Sequence, residues 1–157
     1  MSETSSRCEF DDAGLKVCMD LTLAADLNAI TPAIDEVMRI AREQGCADGR
    51  ELDVEIALRE ALANAVKHGS GNDPSKTIQC RVACDPERGL LIVVRDGGPG
   101  FDPAALPDPG AGPNVYAPHG RGIYLIRELM DEVRFERGGT EIRMCMHRRA
   151  GRESGPE

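Results

Sequence analysis

The spacing of apolar and polar residues changes along the chain, and the changes predict its strands and helices. Residues 15–21, LKVCMDL, alternate as a strand does. Helical spacing follows, and Thr31 with Pro32 is typical of a helix start, which predicts a helix over about 32–44. A second helical pattern covers about 50–68, and a glycine follows each of the two helices as a natural stop.

The later pattern predicts strands in pairs. Residues 77–85 and 90–96 are apolar runs joined by the turn PERG, which indicates a hairpin. Residues 122–131 have helical spacing, and strands over about 132–138 and 140–149 close the chain with two glycines at their bend. Paired strands and grouped helices favour an α+β fold, a two-layer sandwich with a mainly antiparallel mixed sheet and helices on one face.

One internal segment, residues 101–120, shows neither the alternation of a strand nor the spacing of a helix. It is rich in Pro and Gly, and an irregular segment of this length in a small domain is usually a lid, a binding loop or disordered. We expect a mobile lid over 102–119. The polar ends, residues 1–13 and 149–157, are expected to be flexible, which leaves one domain over 14–148.

Composition narrows the possible functions. The 157 residues carry a formal net charge of -8, which argues against direct binding of nucleic acid because phosphate contacts need clustered Lys and Arg. No stretch has the apolar length of a transmembrane helix, and the N-terminus lacks the apolar segment of a signal peptide. We therefore expect a cytoplasmic protein that contacts neither membrane nor nucleic acid.

The six cysteines have no metal-binding spacing. No C-x-x-C pair occurs, and Cys18, Cys80, Cys84 and Cys145 lie in apolar stretches that are predicted strands. We interpret the cysteines as small buried apolar residues in a reducing compartment, rather than as metal ligands or disulfides.

The second predicted helix carries a polar row beside its apolar face. In EALANAVKHG, the side chains of Glu60, Asn64 and His68 recur every four residues, so a carboxylate, an amide and an imidazole lie on one side. Taken alone, such a row is more often a solvated helix face than a binding site.

A glycine-rich turn follows the strand that ends at Asp96. In VVRDGGPGFD, Gly98 and Gly100 allow the backbone to turn sharply and to approach a ligand closely. A carboxylate at the end of a buried strand can accept a hydrogen bond from an exocyclic amine, such as that of adenine. The alternative is a plain turn after a strand.

A second glycine pair, Gly120 and Gly122 in HGRGIYLIRELMD, leads into the third predicted helix. The N–H groups and the dipole at a helix start favour an anion such as phosphate. The segment is neither a Walker A loop nor a Rossmann fingerprint, and an ordinary loop-to-helix glycine is the alternative.

The order of these motifs resembles the GHKL ATPase superfamily, which groups gyrase-type ATPases, Hsp90 chaperones, histidine kinases and MutL proteins. The N, G1 and G2 boxes read EALANAVKH, DGGPG and GRG, and GGTEIRM resembles the closing strand motif. E-A-x-x-N-A-x-x-H-G and D-x-G-x-G-F-D are similar to the anti-sigma factor serine/threonine kinases, over about residues 15–147. The resemblance implies a Bergerat ATP-binding fold and the use of ATP or ADP with Mg²⁺.

The resemblance also implies residue roles. Asn64 would be the Mg²⁺ ligand, as suits an amide oxygen, and Glu60 would orient or deprotonate the attacking hydroxyl. Asp96 would pair with adenine, and Thr140 would lie near it. The remaining residues implied to contact the nucleotide are Gly98, Gly100, Gly120, Arg121 and Gly122. His68 is expected to have a structural or secondary role, and no role is assigned to His119 or His147.

The implied function is partner switching: the protein would sequester a sigma factor and phosphorylate an STAS-type anti-anti-sigma partner, with a homodimer as one expected assembly. Alternatives are a histidine kinase ATP-binding domain, a non-catalytic nucleotide-dependent binding module, and a kinase with a non-sigma target. Residues 1–59 contain no His to accept a phosphoryl group, which disfavours a self-sufficient histidine kinase, and few residues follow the last strand, which disfavours gyrase-type ATPases. Glu60 favours a kinase over a binding module, because a pure binder needs no carboxylate beside the metal-binding Asn64.

Overall fold

The computed structural model describes most of the predicted domain, and it describes the backbone alone at 17–18 and 118–121. The described ranges are 17–47, 49–71, 73–85, 88–98 and 118–147. The strands are β1 (Val17–Ala24), β2 (Thr77–Asp85), β3 (Gly89–Arg95), β4 (Glu132–Glu136) and β5 (Glu141–His147). The helices are α1 (Ile30–Gln44), α2 (Glu51–Asn64) and α3 (Pro118–Leu129).

The five strands form one sheet in the order β1-β2-β3-β5-β4, and every neighbouring pair is antiparallel. The predicted α+β fold is confirmed. The parallel pair that a mixed sheet would contain does not occur among the described strands. After α3, the chain enters β4 at the sheet edge and turns back as β5 beside β3, so the end of β3 lies next to the start of β5.

The helices cover one face of the sheet, and the core lies between the two layers. The buried residues of β2 and β3 on this face are Ile78, Cys80, Val82, Cys84, Leu90, Ile92 and Val94. Val37, Leu58 and Ile126 of the three helices belong to the same apolar cluster. Helix α2 is the middle helix because it contacts both α1 and α3. The predicted two-layer sandwich is confirmed. The C-terminal end of α2 lies beside α3.

Helix α1 begins two residues earlier than expected. Asp26 caps a 3₁₀ turn over Leu27–Ala29 by accepting a 2.9 Å hydrogen bond from the N–H of Asn28. The turn runs directly into α1, so Thr31 lies inside the helix instead of capping it. The predicted stop is confirmed, since Gly45 takes the left-handed conformation, with φ of 70°.

The predicted helix over 50–68 is divided into α2 and a π-helical turn. The α-helix ends at Asn64, and residues Ala65–Gly69 form the wider turn. The N–H of Ser70 donates to the carbonyl of Ala65 at 2.8 Å, a five-residue step that gives this turn its extra residue. Turns of this kind occur often at functional sites.

The interpretation of all cysteines as free thiols is wrong for Cys46 and Cys84, which form a disulfide with Cα atoms 6.0 Å apart. The bond ties the α1–α2 loop to β2, across 38 residues of sequence. Neither residue has a sequence neighbour that signals pairing, so only the tertiary fold brings them together. Cys80 and Cys145 are buried and form no disulfide, as expected. Burial raises the pKa of the Cys80 thiol to about 12, with a smaller contribution from the charge of Asp20.

Three expectations concern parts of the chain outside the described residues. They are the lid over 102–119, of which only the last two residues are described, as the start of α3, and the flexible ends over 1–13 and 149–157. Among the described helices, none is both long enough and apolar enough to cross a membrane.

Candidate functional site

A cavity of about 100 Å³ opens where the end of α2 meets α3, β3 and β5. The lining residues are Ala61, Asn64, Ala65, His68, Gly69, Val94, Asp96, Ile123, Phe135, Gly139, Thr140 and Ile142. Three residues that the sequence singled out, Asn64, Asp96 and Thr140, thus line one cavity although they come from separate motifs. Most of the remaining lining is apolar.

Asp96 is half-buried at the end of β3, and one hydrogen bond holds its backbone while another holds its side chain. Its N–H donates to the carbonyl of Thr140 at 2.9 Å, and its Oδ1 accepts from the N–H of Gly98 at 2.7 Å. Among the described residues, Oδ2 has no hydrogen-bond partner. The Thr140 hydroxyl donates to the carbonyl of Arg137 at 2.9 Å, which leaves its oxygen able to accept.

Burial raises the pKa of the Asp96 carboxyl above its usual value, and the hydrogen bond from Gly98 opposes part of that rise. The charged carboxylate is therefore less stable in this cavity than in water. A donor group on a ligand would offset that cost, because it would give Oδ2 the hydrogen bond that the protein does not supply.

Gly69, at the end of the π-helical turn, packs directly against this carboxylate. A Cβ atom added at Gly69 would overlap the Asp96 carboxylate, and one added at Gly98 would overlap the backbone carbonyl of Gly69. The two glycines bring the end of the turn and the loop after β3 closer than side chains would allow. The sequence had assigned Gly69 only a helix-stopping role.

The N-terminal part of α3, at Gly122, lies over the polar row of α2. A Cβ atom added at Gly122 would be 3.1 Å from Glu60 Oε1 and 3.1 Å from Asn64 Nδ2. The solvated-face interpretation of this row is therefore wrong for Glu60 and Asn64, which face another element at close range. His68, the third member, lines the cavity.

The predicted glycine pair lies inside α3 rather than ahead of it. Because α3 begins at Pro118, Gly120 and Arg121 belong to its first four residues, whose N–H groups have no acceptor within the helix. Gly122 follows these four residues. Its lack of a side chain lets α3 approach α2 closely, and its N–H is not one of the free ones. Gly100 and the side chain of Arg121 lie outside the described residues.

Sequence reasoning missed the apolar walls of the cavity, together with Gly69 and Gly139. The walls come from positions that the pattern marks only as core, such as Val94 and Ile142, so no local signal separates them from other buried residues. His147 is remote from these residues: its Nε2 is 3.1 Å from Glu132, at the α3–β4 end. The side chain of His119 is outside the described residues.

Asp96→Asn should raise the melting temperature of the nucleotide-free protein at pH 7. The folded-state pKa is raised, so the contribution of this carboxyl to stability is fully present below its unfolded pKa and is lost as the pH rises through the folded pKa. Asparagine keeps the oxygen that accepts from Gly98 and carries no charge. The gain should shrink towards about pH 4, near the ordinary Asp pKa.

Calorimetric melting at several pH values checks this prediction, with Asp35→Asn on the exposed side of α1 as the matched control. The control should change the melting temperature little at any pH. A lower melting temperature for Asp96→Asn at pH 7 would show that the charge stabilises the empty site, contrary to the prediction.

Comparison with known proteins agrees with this geometry. Residues 23–146 match the family described as the histidine kinase-like ATPase domain. The chain is 34% identical over 106 residues to the serine-protein kinase RsbW of Bacillus licheniformis, covering 62% of this chain and 64% of that protein. It is 28% identical over 132 residues to the anti-sigma F factor of Clostridium novyi (strain NT), covering 79% and 80% of the two chains.

The chain spans less than two thirds of the length of the RsbW relatives that it matches. A solved structure, of the RsbU and RsbW domains of Rv1364c from Mycobacterium tuberculosis, matches with a TM-score of 0.53 and 19% identity. The match covers 83% of this chain and 31% of that chain, and at this identity it shows a shared fold alone.

Proposed function

The chain belongs to the histidine kinase-like ATPase domain family, and from that membership we propose that its cavity binds ATP and ADP with Mg²⁺. We propose further that it is a cytoplasmic serine/threonine kinase that sequesters a sigma factor and phosphorylates an STAS-type anti-anti-sigma partner. The names of the relatives, a serine-protein kinase and an anti-sigma F factor, support this. A homodimer remains a prediction.

The Asp96 carboxylate in a largely apolar cavity is the observation that carries the proposal. Gly98 holds one carboxylate oxygen, and the other is available to a ligand. Adenine presents an exocyclic amine that can donate to this oxygen, whereas guanine presents a carbonyl oxygen at the same ring position. Apolar walls that include Val94 and Ile142 suit the faces of a flat ring. The residues present therefore fit an adenine base.

The phosphates would lie towards the first turn of α3, where Gly120 and Arg121 offer backbone N–H groups. Among the described residues, no group of three or more His, Cys, Asp or Glu side chains could hold a metal ion. A Mg²⁺ ion at Asn64 would therefore take most of its ligands from phosphate and water, as Mg²⁺ commonly does. Bound there, it would neutralise phosphate charge during phosphoryl transfer.

Glu60 would supply the acid–base chemistry. Its Oε1 and the amide of Asn64 both lie beside Gly122, but Glu60 is not among the residues that line the cavity. We propose that Glu60 accepts the proton of an incoming serine hydroxyl without contacting the adenine base. Phosphoryl transfer asks mainly for positioning and charge neutralisation, so one such carboxylate is sufficient.

Asn64→Ala should weaken the Mg²⁺-dependent part of ATP binding, because the amide oxygen that reaches the metal is lost. In titration calorimetry, the wild type should bind ATP more tightly with Mg²⁺ than with EDTA, and the variant should show a smaller difference. Asn28→Ala, an exposed residue of the 3₁₀ turn before α1, is the matched control and should keep the wild-type response. An unchanged Mg²⁺ response in Asn64→Ala would remove Asn64 from the metal site.

A further inference from the structure

We infer that Gly69 is a positioning residue for base selection: its lack of a side chain makes the space in which the Asp96 carboxylate is held. The inference rests on the proposed function, because it concerns how the same cavity distinguishes adenine from guanine. Gly69 contacts neither metal nor phosphate in this account. It acts through Asp96 and through the loop that follows β3.

Three contacts define this arrangement. The Asp96 carboxylate occupies the place of a Gly69 Cβ, the Gly69 carbonyl occupies the place of a Gly98 Cβ, and the Gly98 N–H donates to Asp96 Oδ1 at 2.7 Å. The contacts form a closed ring of three residues. A Cβ added at Gly69 or at Gly98 would therefore overlap another member of the ring.

The arrangement also explains how a loop residue keeps a fixed side chain. Asp96 follows the last residue of β3, and the single hydrogen bond to Oδ1 leaves rotation about the side-chain bonds. Contact with the end of the π-helical turn restricts that rotation, because the turn is anchored by the Ser70 N–H to Ala65 carbonyl bond. The position of Oδ2 is thereby set before any ligand arrives, and such preorganisation favours the ligand with a matching donor.

A methyl group at position 69 should displace the carboxylate and weaken discrimination between bases. For Gly69→Ala we expect ATP affinity to fall about tenfold or more, as for the loss of a hydrogen bond to a charged group. The affinity for GTP should change little, so the ATP-to-GTP preference should decline towards one. Inorganic tripolyphosphate with Mg²⁺, which has no base, should bind Gly69→Ala and the wild type equally.

The matched control is Gly97→Ala. Gly97 lies between the two residues of the ring, yet a Cβ added there meets nothing within 4 Å. The same methyl group, one residue from Asp96, should leave the ATP-to-GTP preference at the wild-type value. If Gly97→Ala loses the ATP-to-GTP preference as Gly69→Ala does, the effect comes from general stiffening of the loop. That result would overturn the inference.

A second pair of variants covers the case in which Gly69→Ala does not fold. Asp96→Ala removes the overlapping carboxylate, so the double variant Gly69→Ala with Asp96→Ala should fold, whereas Gly98→Ala should stay destabilising in the same background because its Cβ meets backbone. Failure of Asp96→Ala to relieve Gly69→Ala would overturn the inference, and so would a folded Gly69→Ala with wild-type base preference. A wild type that does not prefer ATP over GTP would overturn the proposed function itself.

Discussion

Glu60→Gln should lower phosphoryl transfer to a serine of an STAS-type partner by about 10²–10⁴-fold, the usual contribution of a general base. Glutamine is close to glutamate in size but cannot accept the proton of the attacking hydroxyl. ATP affinity should stay nearly unchanged, because Glu60 does not line the cavity that holds the base. The proposed binding of a sigma factor should also persist, since it would depend on the protein surface rather than on proton transfer.

The assay measures phosphate incorporation into the partner, alongside nucleotide titration of the same preparation. Glu55→Gln is a suitable control, because Glu55 lies on α2 and interacts with Arg42 and Arg59, away from the cavity. It should transfer phosphate at the wild-type rate. Wild-type transfer by Glu60→Gln would show that Glu60 is not the base. Tight ATP binding by a wild type that phosphorylates no partner would favour the non-catalytic module.

Reduction of the disulfide, or Cys46→Ala with Cys84→Ala, should lower the free energy of unfolding by about 3–4 kcal/mol. The bond closes a loop of 38 residues in the unfolded chain, and opening it restores conformational entropy to the unfolded state. Neither cysteine lines the cavity, so the ATP affinity of the folded protein should not change.

Guanidinium unfolding of air-oxidised protein, with and without reductant, measures this difference, and peptide mapping without reduction identifies the cross-linked pair. Cys80→Ala is the matched control, because Cys80 lies on the same buried face of β2 as Cys84 and is a free thiol. It should keep the response to reductant that the double variant loses. Unfolding curves of the wild type that coincide with and without reductant would contradict the prediction.

Much of the fold follows from local pattern. The strands of the two hairpins and the stop at Gly45 were predicted because alternation and glycine act over a few residues. The start of α3 was placed too late because a Pro-rich segment hides its first turn, in which Pro118 supplies a suitable first residue. The π-helical turn after Asn64 was missed because its residues continue the pattern of an ordinary α-helix. Only the hydrogen bond from the Ser70 N–H to the Ala65 carbonyl widens the turn.

The candidate site was predictable where the functional side chains lie within a recognisable local motif. Asn64, Asp96 and Thr140 were all named from sequence, and the structure places them in one cavity. Gly69 was not, because its importance lies in a contact with a residue far along the chain rather than in its own turn. The Cys46–Cys84 pair was missed for the same reason, since nothing local to either cysteine marks its partner.

Competition between ATP and GTP for the wild-type protein shows directly whether the Asp96 cavity selects adenine. Titration calorimetry should show ATP and ADP binding in the presence of Mg²⁺ and clearly weaker binding of GTP, because Asp96 can accept from the adenine amine but repels the guanine carbonyl oxygen. Asp96→Asn should lose most of that preference. Equal affinities of the wild type for ATP and GTP, or no binding of either, would contradict an adenine site at Asp96.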